Sequence, residues 1–231
     1  MFLNGTARSG SYRDARTDLT AMRFSIAKEV LPIAAPLGAV AAGLLVFGLL
    51  IPAALVALAA VAVVYFFRDP KRVPPADPTL VLAPADGLVV GVSQVEEPNY
   101  LGVAATRVSI FLRLWNVHMT YAPVAGTVEQ VEHRPGRFGN AGFAKASERN
   151  EANSIVVQSG QGRLMFRQIA GMIARRIVCR VKPGDEVRRG QRVGLIRFGS
   201  RTDVFLPPGY EVLVHKGERV RAVTSPIARA R

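Results

Sequence analysis

Two stretches of the chain share one pattern: Pro84-Ala-Asp86-Gly87-Leu-Val89-Val-Gly-Val92 and Pro123-Val-Ala-Gly126-Thr-Val128-Glu-Gln-Val131. In each, a proline and a glycine precede a short valine-rich run, the punctuation of a β-strand entered through a turn. A second pair, Gly184-Asp-Glu-Val187-Arg188 and Gly217-Glu-Arg-Val220-Arg221, repeats in the C-terminal part. Around these lie further short runs rich in Val, Ile and Phe, at 87–95, 105–112, 126–131, 154–158, 163–169, 177–181, 193–197, 202–206 and 210–214. Strands this short, evenly spaced and separated by Gly and Pro predict a mainly β domain over 79–231. The repeats predict that it is a pseudo-symmetric sandwich or barrel. The Gly-, Asn- and charge-rich stretch 137–153 reads as a long loop, and long loops in compact domains are commonly functional.

Upstream the character changes. Residues 33–67 form a run of 35 without a charge, rich in Ala, Leu and Val. Arg23 and Lys28 flank it on one side, Arg68, Lys71 and Arg72 on the other. About 20 helical residues span a bilayer core, so one straight helix of this length is too long. Pro52, behind Gly48, predicts a break and two helical pieces, 31–50 and 53–67. Basic residues at both outer ends favour both ends on the cytoplasmic side, a hairpin that dips into or through the membrane. The competing reading is a core hairpin of a soluble protein. A signal peptide is disfavoured by the roughly 30 residues that precede the run. Residues 1–32 are a basic N-terminal segment. Residues 68–78, with four prolines, read as a stiff linker.

The chain has 231 residues, a net charge of +13 and 49% hydrophobic residues, which excludes a disordered chain. A single cysteine, Cys179, excludes an intramolecular disulfide and a cysteine-based zinc site. The charge lies outside the apolar run and suits an anionic phospholipid surface. Nucleic acid is the poorer partner, because the basic residues are scattered, aromatics make up only 7%, and no nucleic-acid motif is present.

The stretch 181–196 (Lys182-Pro-Gly-Asp-Glu-Val with Gly190-Gln-Arg-Val-Gly194) resembles the hairpins of biotinyl and lipoyl carrier domains, but no lysine sits at a hairpin tip for modification. Among candidate chemical groups, His133 and His215 read as surface histidines. His118, in Val117-His118-Met119, taken alone is a hydrogen-bonded strand residue. Asp86 alone is an Asp-Gly turn residue and Ser200 an ordinary Gly-Ser bend.

Their order alters that reading. Pro84-Ala-Asp86-Gly87, then Val117-His118-Met119, then Phe198-Gly199-Ser200 is similar to the ordered motif set of phosphatidylserine decarboxylases, in their short bacterial and archaeal form. Pro135-Gly-Arg-Phe138 with Asn140, and Lys145-Ala-Ser-Glu148-Arg-Asn-Glu151, resemble that family's lipid-side loop. The resemblance implies a proenzyme that cuts itself between Gly199 and Ser200, giving a β chain of 199 residues and an α chain of 32. Ser200 becomes a pyruvoyl group, the self-derived cofactor, which forms a Schiff base with phosphatidylserine and yields phosphatidylethanolamine and CO2. No metal is implied. A serine hydroxyl is a weak nucleophile that needs a base and an orienting group. His118 matches the base and Asp86 the orienting carboxylate. Arg134, Arg137 and Lys145 are candidates to hold the lipid phosphate by charge-assisted hydrogen bonds.

One position departs from the family pattern. Longer members carry a second histidine three residues before the Val-His-Met histidine, and here Trp115 stands there. The proton donor in decarboxylation is therefore open, with His118 the economical choice. The resemblance also implies a paired α and β chain, a possible dimer of such pairs, and a place on the cytoplasmic face of the cell membrane. Because Asp86, His118 and Ser200 all follow the linker, the sequence predicts that self-cleavage survives loss of the hairpin. Two other functions stand beside this one: a non-catalytic, membrane-anchored lipoyl-like adaptor, and a decarboxylase of another serine-headed lipid such as archaetidylserine.

Overall fold

The computed structural model describes residues 24–97, 99–136, 139, 150–171, 176–196 and 199–231. At the N-terminal end β1 (Phe24–Ile26) passes through a 3-10 turn, Lys28–Val30, into α1 (Leu31–Val46). The chain reverses, α2 (Leu50–Phe66) returns, and β2 (Arg68–Pro70) pairs antiparallel with β1. The apolar run is thus a helical hairpin, as its length predicts. Its break is not at Pro52, however. The reversal falls at Gly48, whose φ of +71° is a left-handed conformation that favours glycine. Pro52 lies in the first turn of α2, where a missing N–H costs nothing because it has no intrahelical partner.

The segment Lys28–Val46 is long and apolar enough to cross a membrane, and α2 is slightly shorter. The tip residues Val46, Phe47, Leu50 and Ile51 are exposed, an arrangement that fits membrane association and not a soluble core. The foot of the hairpin is different. Phe66 and Phe67 are buried against Val117, Met119, Tyr121, Leu195, Ala222 and Val223 of the β domain. Glu29 pairs with Arg180 and with Arg192 (3.0 Å), and the Tyr121 hydroxyl donates to Asp69 at 2.6 Å. The proline-rich stretch is pinned as well: Arg189 donates to the carbonyls of Pro75, Asp77 and Leu80.

The remaining chain is β. In order it forms β3 (Leu80–Leu82), β4 (Gly87–Glu97), β5 (Val103–Leu112), β6 (Met119–Tyr121), β7 (Gly126–Arg134), β8 (Ala152–Ser159) and β9 (Gly162–Ile169). There follow β10 (Ile177–Cys179), β11 (Glu186–Val187), β12 (Arg192–Ile196), β13 (Ser200–Leu206), β14 (Tyr210–Val212), β15 (Arg219–Val220) and β16 (Pro226–Ala230). The main sheet is eight-stranded and curled, in the order β11-β7-β8-β9-β13-β5-β4-β15. Two three-stranded sheets, β10-β12-β6 and β14-β16-β3, complete a sandwich-like body around a core that includes Val108, Ile110, Ile155, Phe166, Val204 and Ile227.

The repeats seen in the sequence are two halves of that sheet. Val187 of β11 is in register with Gly126, and Val220 of β15 with Gly87. Both glycines lie so close to the neighbouring strand that a Cβ would overlap its backbone, at Gln158 and Phe111 respectively. Each strand then carries a bulge at the same offset, between Val89 and Gly91 and between Val128 and Gln130. The turns match as well: the Gly184 N–H donates to Val128 O and the Gly217 N–H to Val89 O, both at 2.8 Å. The two halves meet at the β9–β13 pair, so Ser200 opens the strand next to the pseudo-symmetry axis.

The packed foot and the free tip should respond differently to truncation. Phe67→Ala removes a ring that is fully buried and should lower the unfolding free energy by about 3–5 kcal/mol. Phe47→Ala, at the exposed tip, should change it by less than about 0.5 kcal/mol. Urea unfolding of both variants in detergent checks the contrast.

Candidate functional site

Ser200 is the first residue of β13 and is buried. It pairs with Leu112 on one side, and among the described residues its hydroxyl has no hydrogen-bond partner. Gly199, immediately before it, has φ +65°, a conformation that a side chain would strain. The Gly199 carbonyl oxygen occupies the place where a Cβ on Gly171 would stand. A second glycine, distant in sequence, thus makes room for the carbonyl of the Gly199–Ser200 peptide bond.

His118 enters from β6. The Ile196 N–H, at the end of β12, donates to the His118 carbonyl, tying the histidine to the strand that leads into Gly199–Ser200. Its imidazole is fully buried. Nδ1 lies 2.9 Å from the Asn116 carbonyl. A carbonyl only accepts, so the proton is assigned to Nδ1 and the lone pair to Nε2, which has no hydrogen-bond partner among the described residues. The Phe66 ring, the last residue of α2, lies against the imidazole with centroids 4.1 Å apart. Burial is the main cause that pushes the His118 pKa down, to about 4. The charge of Arg68 pushes in the same direction, while the Asn116 bond and the charge of Asp86 oppose it. The imidazole is therefore neutral at pH 7 and offers a free lone pair in a dry setting.

Asp86 is not where a triad would have it. Its carboxylate accepts from both terminal nitrogens of Arg72, one at 2.8 Å, and from the Ala222 N–H at 2.8 Å. No hydrogen bond joins it to His118. The expectation that Asp86 orients the imidazole by direct contact is corrected: Arg72 and Ala222 already take up the carboxylate, and the Asn116 carbonyl fixes the ring. Asp86 acts on His118 through its charge. Arg134, another candidate from the sequence, ends β7 and is half-buried. Arg137 and Lys145 lie outside the described residues. Trp115 is 61% exposed, and its carbonyl accepts from Arg68 at 2.6 Å.

Sequence reasoning missed Phe66, Arg72, Asn116 and Gly171. Phe66 and Arg72 read as membrane segment and membrane flank, and nothing in the sequence pairs them with groups so far away. Asn116, two residues from His118, was the one with a local signal. Beyond Ser200, Arg201 is 2% exposed and bound to Asp203 at 2.6 Å and to Ser109 at 2.7 Å. This network anchors the start of β13, directly after the Gly199–Ser200 bond.

The geometry has relatives. The model of the family described as phosphatidylserine decarboxylase matches residues 59–228. The chain belongs to that family. A "Phosphatidylserine decarboxylase proenzyme" of Burkholderia cenocepacia (strain HI2424) is 48% identical over 169 residues, which are 73% of this chain and 78% of the relative. The proenzyme of Nitrosomonas eutropha is 47% identical over 175 residues, 75% of this chain and 81% of the relative. That of Anaplasma phagocytophilum is 49% identical over 154 residues, 66% of this chain and 68% of the relative. As a phosphatidylserine decarboxylase family member the chain is an enzyme, a decarboxylase, and the adaptor reading finds no support in these matches.

The dry setting of His118 makes a measurable statement. In an uncut Ser200→Ala protein the imidazole should titrate near 4 by NMR. Phe66→Ala, which opens the ring to water, should move that midpoint up toward 6.5, and Phe66→Leu should move it less. Because folded His118 holds its proton less tightly than the unfolded chain does, the unfolded state binds more protons between about pH 4 and 6.5. Stability should fall as the pH drops through that window, by about 3 kcal/mol at its lower end, and Phe66→Ala should flatten this dependence.

Proposed function

We propose that this protein decarboxylates phosphatidylserine to phosphatidylethanolamine and CO2 after cutting its own chain between Gly199 and Ser200. The observation that carries the reading is a pair of buried polar atoms without hydrogen-bond partners among the described residues, Ser200 Oγ and His118 Nε2, with the His118 carbonyl bonded to the N–H of Ile196, four residues before Ser200. Leaving two such atoms unsatisfied costs stability, and reactive sites are where that cost is commonly met. Family membership supports the same reading.

In the first step His118 Nε2 takes the Ser200 hydroxyl proton as Oγ attacks the Gly199 carbonyl carbon. The C–N bond breaks, the nitrogen recovers the proton, and an ester replaces the amide. The left-handed Gly199 and the space at Gly171 support an approach that an ordinary extended peptide would not allow. Removal of the Ser200 α-proton then forms the Cα–Cβ double bond and breaks the Cβ–Oγ bond, whose electron pair leaves with Oγ. The 1–199 chain leaves as a carboxylate and residue 200 becomes a dehydroalanine. Water hydrolyses this to a keto group with release of ammonia. The Asp86 carboxylate, held by Arg72, favours the imidazolium that forms transiently in each proton transfer.

The residues present fit a pyruvoyl group at position 200: Ser200 is buried, His118 is bonded to Ile196 just upstream, and Gly171 leaves room for the Gly199 carbonyl. When formed, that group supplies an electron sink for the electrons left behind as CO2 departs. What the chain adds is a water-poor pocket and, in His118, a residue able to return a proton to carbon. Arg134, Arg137 and Lys145 are assigned to the substrate's phosphate. The finer partners follow: an anionic bilayer entered by the hairpin from the cytoplasmic face, a 1–199 and a 200–231 chain held together, and a possible dimer of these pairs.

Ser200→Ala should remain a single chain of 231 residues and release no CO2 from phosphatidylserine vesicles. Gly171→Ala, whose methyl group would displace the Gly199 carbonyl, should fold but process at least about tenfold more slowly. Normal processing of the alanine variant at position 200 would overturn the reading.

A further inference from the structure

Beside Asp86 lies an open pocket of about 420 Å³, lined in part by Arg113, Trp115, Asn116, Arg219 and Arg221. Three arginines line one space, Arg113 half-buried and Arg219 and Arg221 exposed. Among the described residues none of the three has a carboxylate partner, whereas other arginines of the chain do: Arg72 has Asp86, Arg192 has Glu29 and Asp69, Arg180 has Glu29. The one carboxylate in the pocket wall, Asp86, has its oxygens occupied by Arg72 and the Ala222 N–H, so it does not neutralise them. Gathering like charges without a counter-charge is unfavourable, and an anion in the pocket reverses the sign of that energy.

The place of the pocket selects the anion. The Trp115 carbonyl accepts from Arg68, the first charged residue after α2, so the pocket sits at the foot of the apolar hairpin. Trp115 and its neighbour Leu114 are exposed, and the Arg113 guanidinium lies 5.7 Å from the Trp115 ring centroid. An exposed Trp beside arginines, level with the end of an apolar helix, is the composition of a bilayer's head-group layer. A pocket of this volume holds a phosphodiester head group while leaving acyl chains outside.

We propose that Arg113, Arg219 and Arg221 form a docking site for the phosphodiester of an anionic bilayer lipid. The site seats the catalytic face on the membrane next to the hairpin. It predicts that the protein distinguishes anionic from neutral bilayers through these three side chains, while the hairpin alone supplies binding to both. The inference stands on charge and placement, so it holds or fails independently of the decarboxylation reading.

The test is co-sedimentation of the full-length protein with vesicles of phosphatidylglycerol and phosphatidylcholine mixed, against phosphatidylcholine alone, at 0.1 M salt. The triple variant Arg113→Gln, Arg219→Gln, Arg221→Gln should lose about a hundredfold in affinity for the anionic vesicles, roughly fivefold per arginine, and keep its affinity for the neutral ones. A control variant, Lys182→Gln, Arg188→Gln, Lys216→Gln, removes the same charge at exposed positions outside the pocket and should lose far less. Equal losses in the two triple variants would overturn the site, because diffuse surface charge would then explain the preference. Glycerol phosphate at millimolar concentration should not displace the protein from anionic vesicles. Displacement would assign the pocket to a soluble phosphate ester and overturn the lipid source. Circular dichroism of the triple variant checks that it folds, and Arg→Lys replacements at the three positions should restore part of the preference.

Discussion

The account rests on one side chain kept away from water. The His118 imidazole is held at one edge by the Asn116 carbonyl and covered on its face by Phe66. The carbonyl sets the tautomer, and burial removes the charge. A histidine in water at pH 7 would be partly protonated and fully solvated, and its lone pair would be masked by solvent. Here, among the described residues, Nε2 has no hydrogen-bond partner, and neither has the Ser200 hydroxyl. Preparing both groups in advance lowers the reorganisation that an attack on a peptide carbonyl would otherwise require.

That arrangement makes the apolar hairpin part of the site. Phe66 belongs to α2, and it is followed directly by Phe67, fully buried among the β-domain residues that flank His118. Arg68 then contacts the Trp115 carbonyl and acts on the histidine through its charge. The sequence suggested a hairpin separable from the chemistry by a linker. The structure joins them, because the last turn of α2 serves as the lid of the histidine pocket. An apolar helix of this kind would otherwise have little reason to bury two aromatic residues at its foot while exposing Phe47 at its tip.

Much of the fold was legible because it repeats. Gly87 and Gly126 read as turn glycines ahead of valine runs, and in the structure each makes a close approach to a neighbouring strand that no Cβ would permit. The matched bulges and turns follow from the same local chemistry used twice. The hairpin was legible by composition, but its break was misplaced, because Pro52 is harmless in a first helical turn whereas Gly48 alone can adopt the left-handed reversal. Ser200, His118 and Asp86 were singled out by motif order. What motif order could not supply was how Asp86 is held. Arg72 precedes it by only 14 residues but was hidden in a charge cluster, and Ala222 follows it by 136. Contacts of this range come from tertiary packing and leave no local pattern.

Self-cleavage is the central claim, and the mass of the purified wild-type protein under denaturing conditions tests it most directly. The account predicts two species, one matching residues 1–199 and one matching residues 200–231. The smaller should be lighter than its encoded sequence by one ammonia, with an N-terminus closed to Edman degradation. A single species of 231 residues, or two chains divided at any other bond, would contradict it.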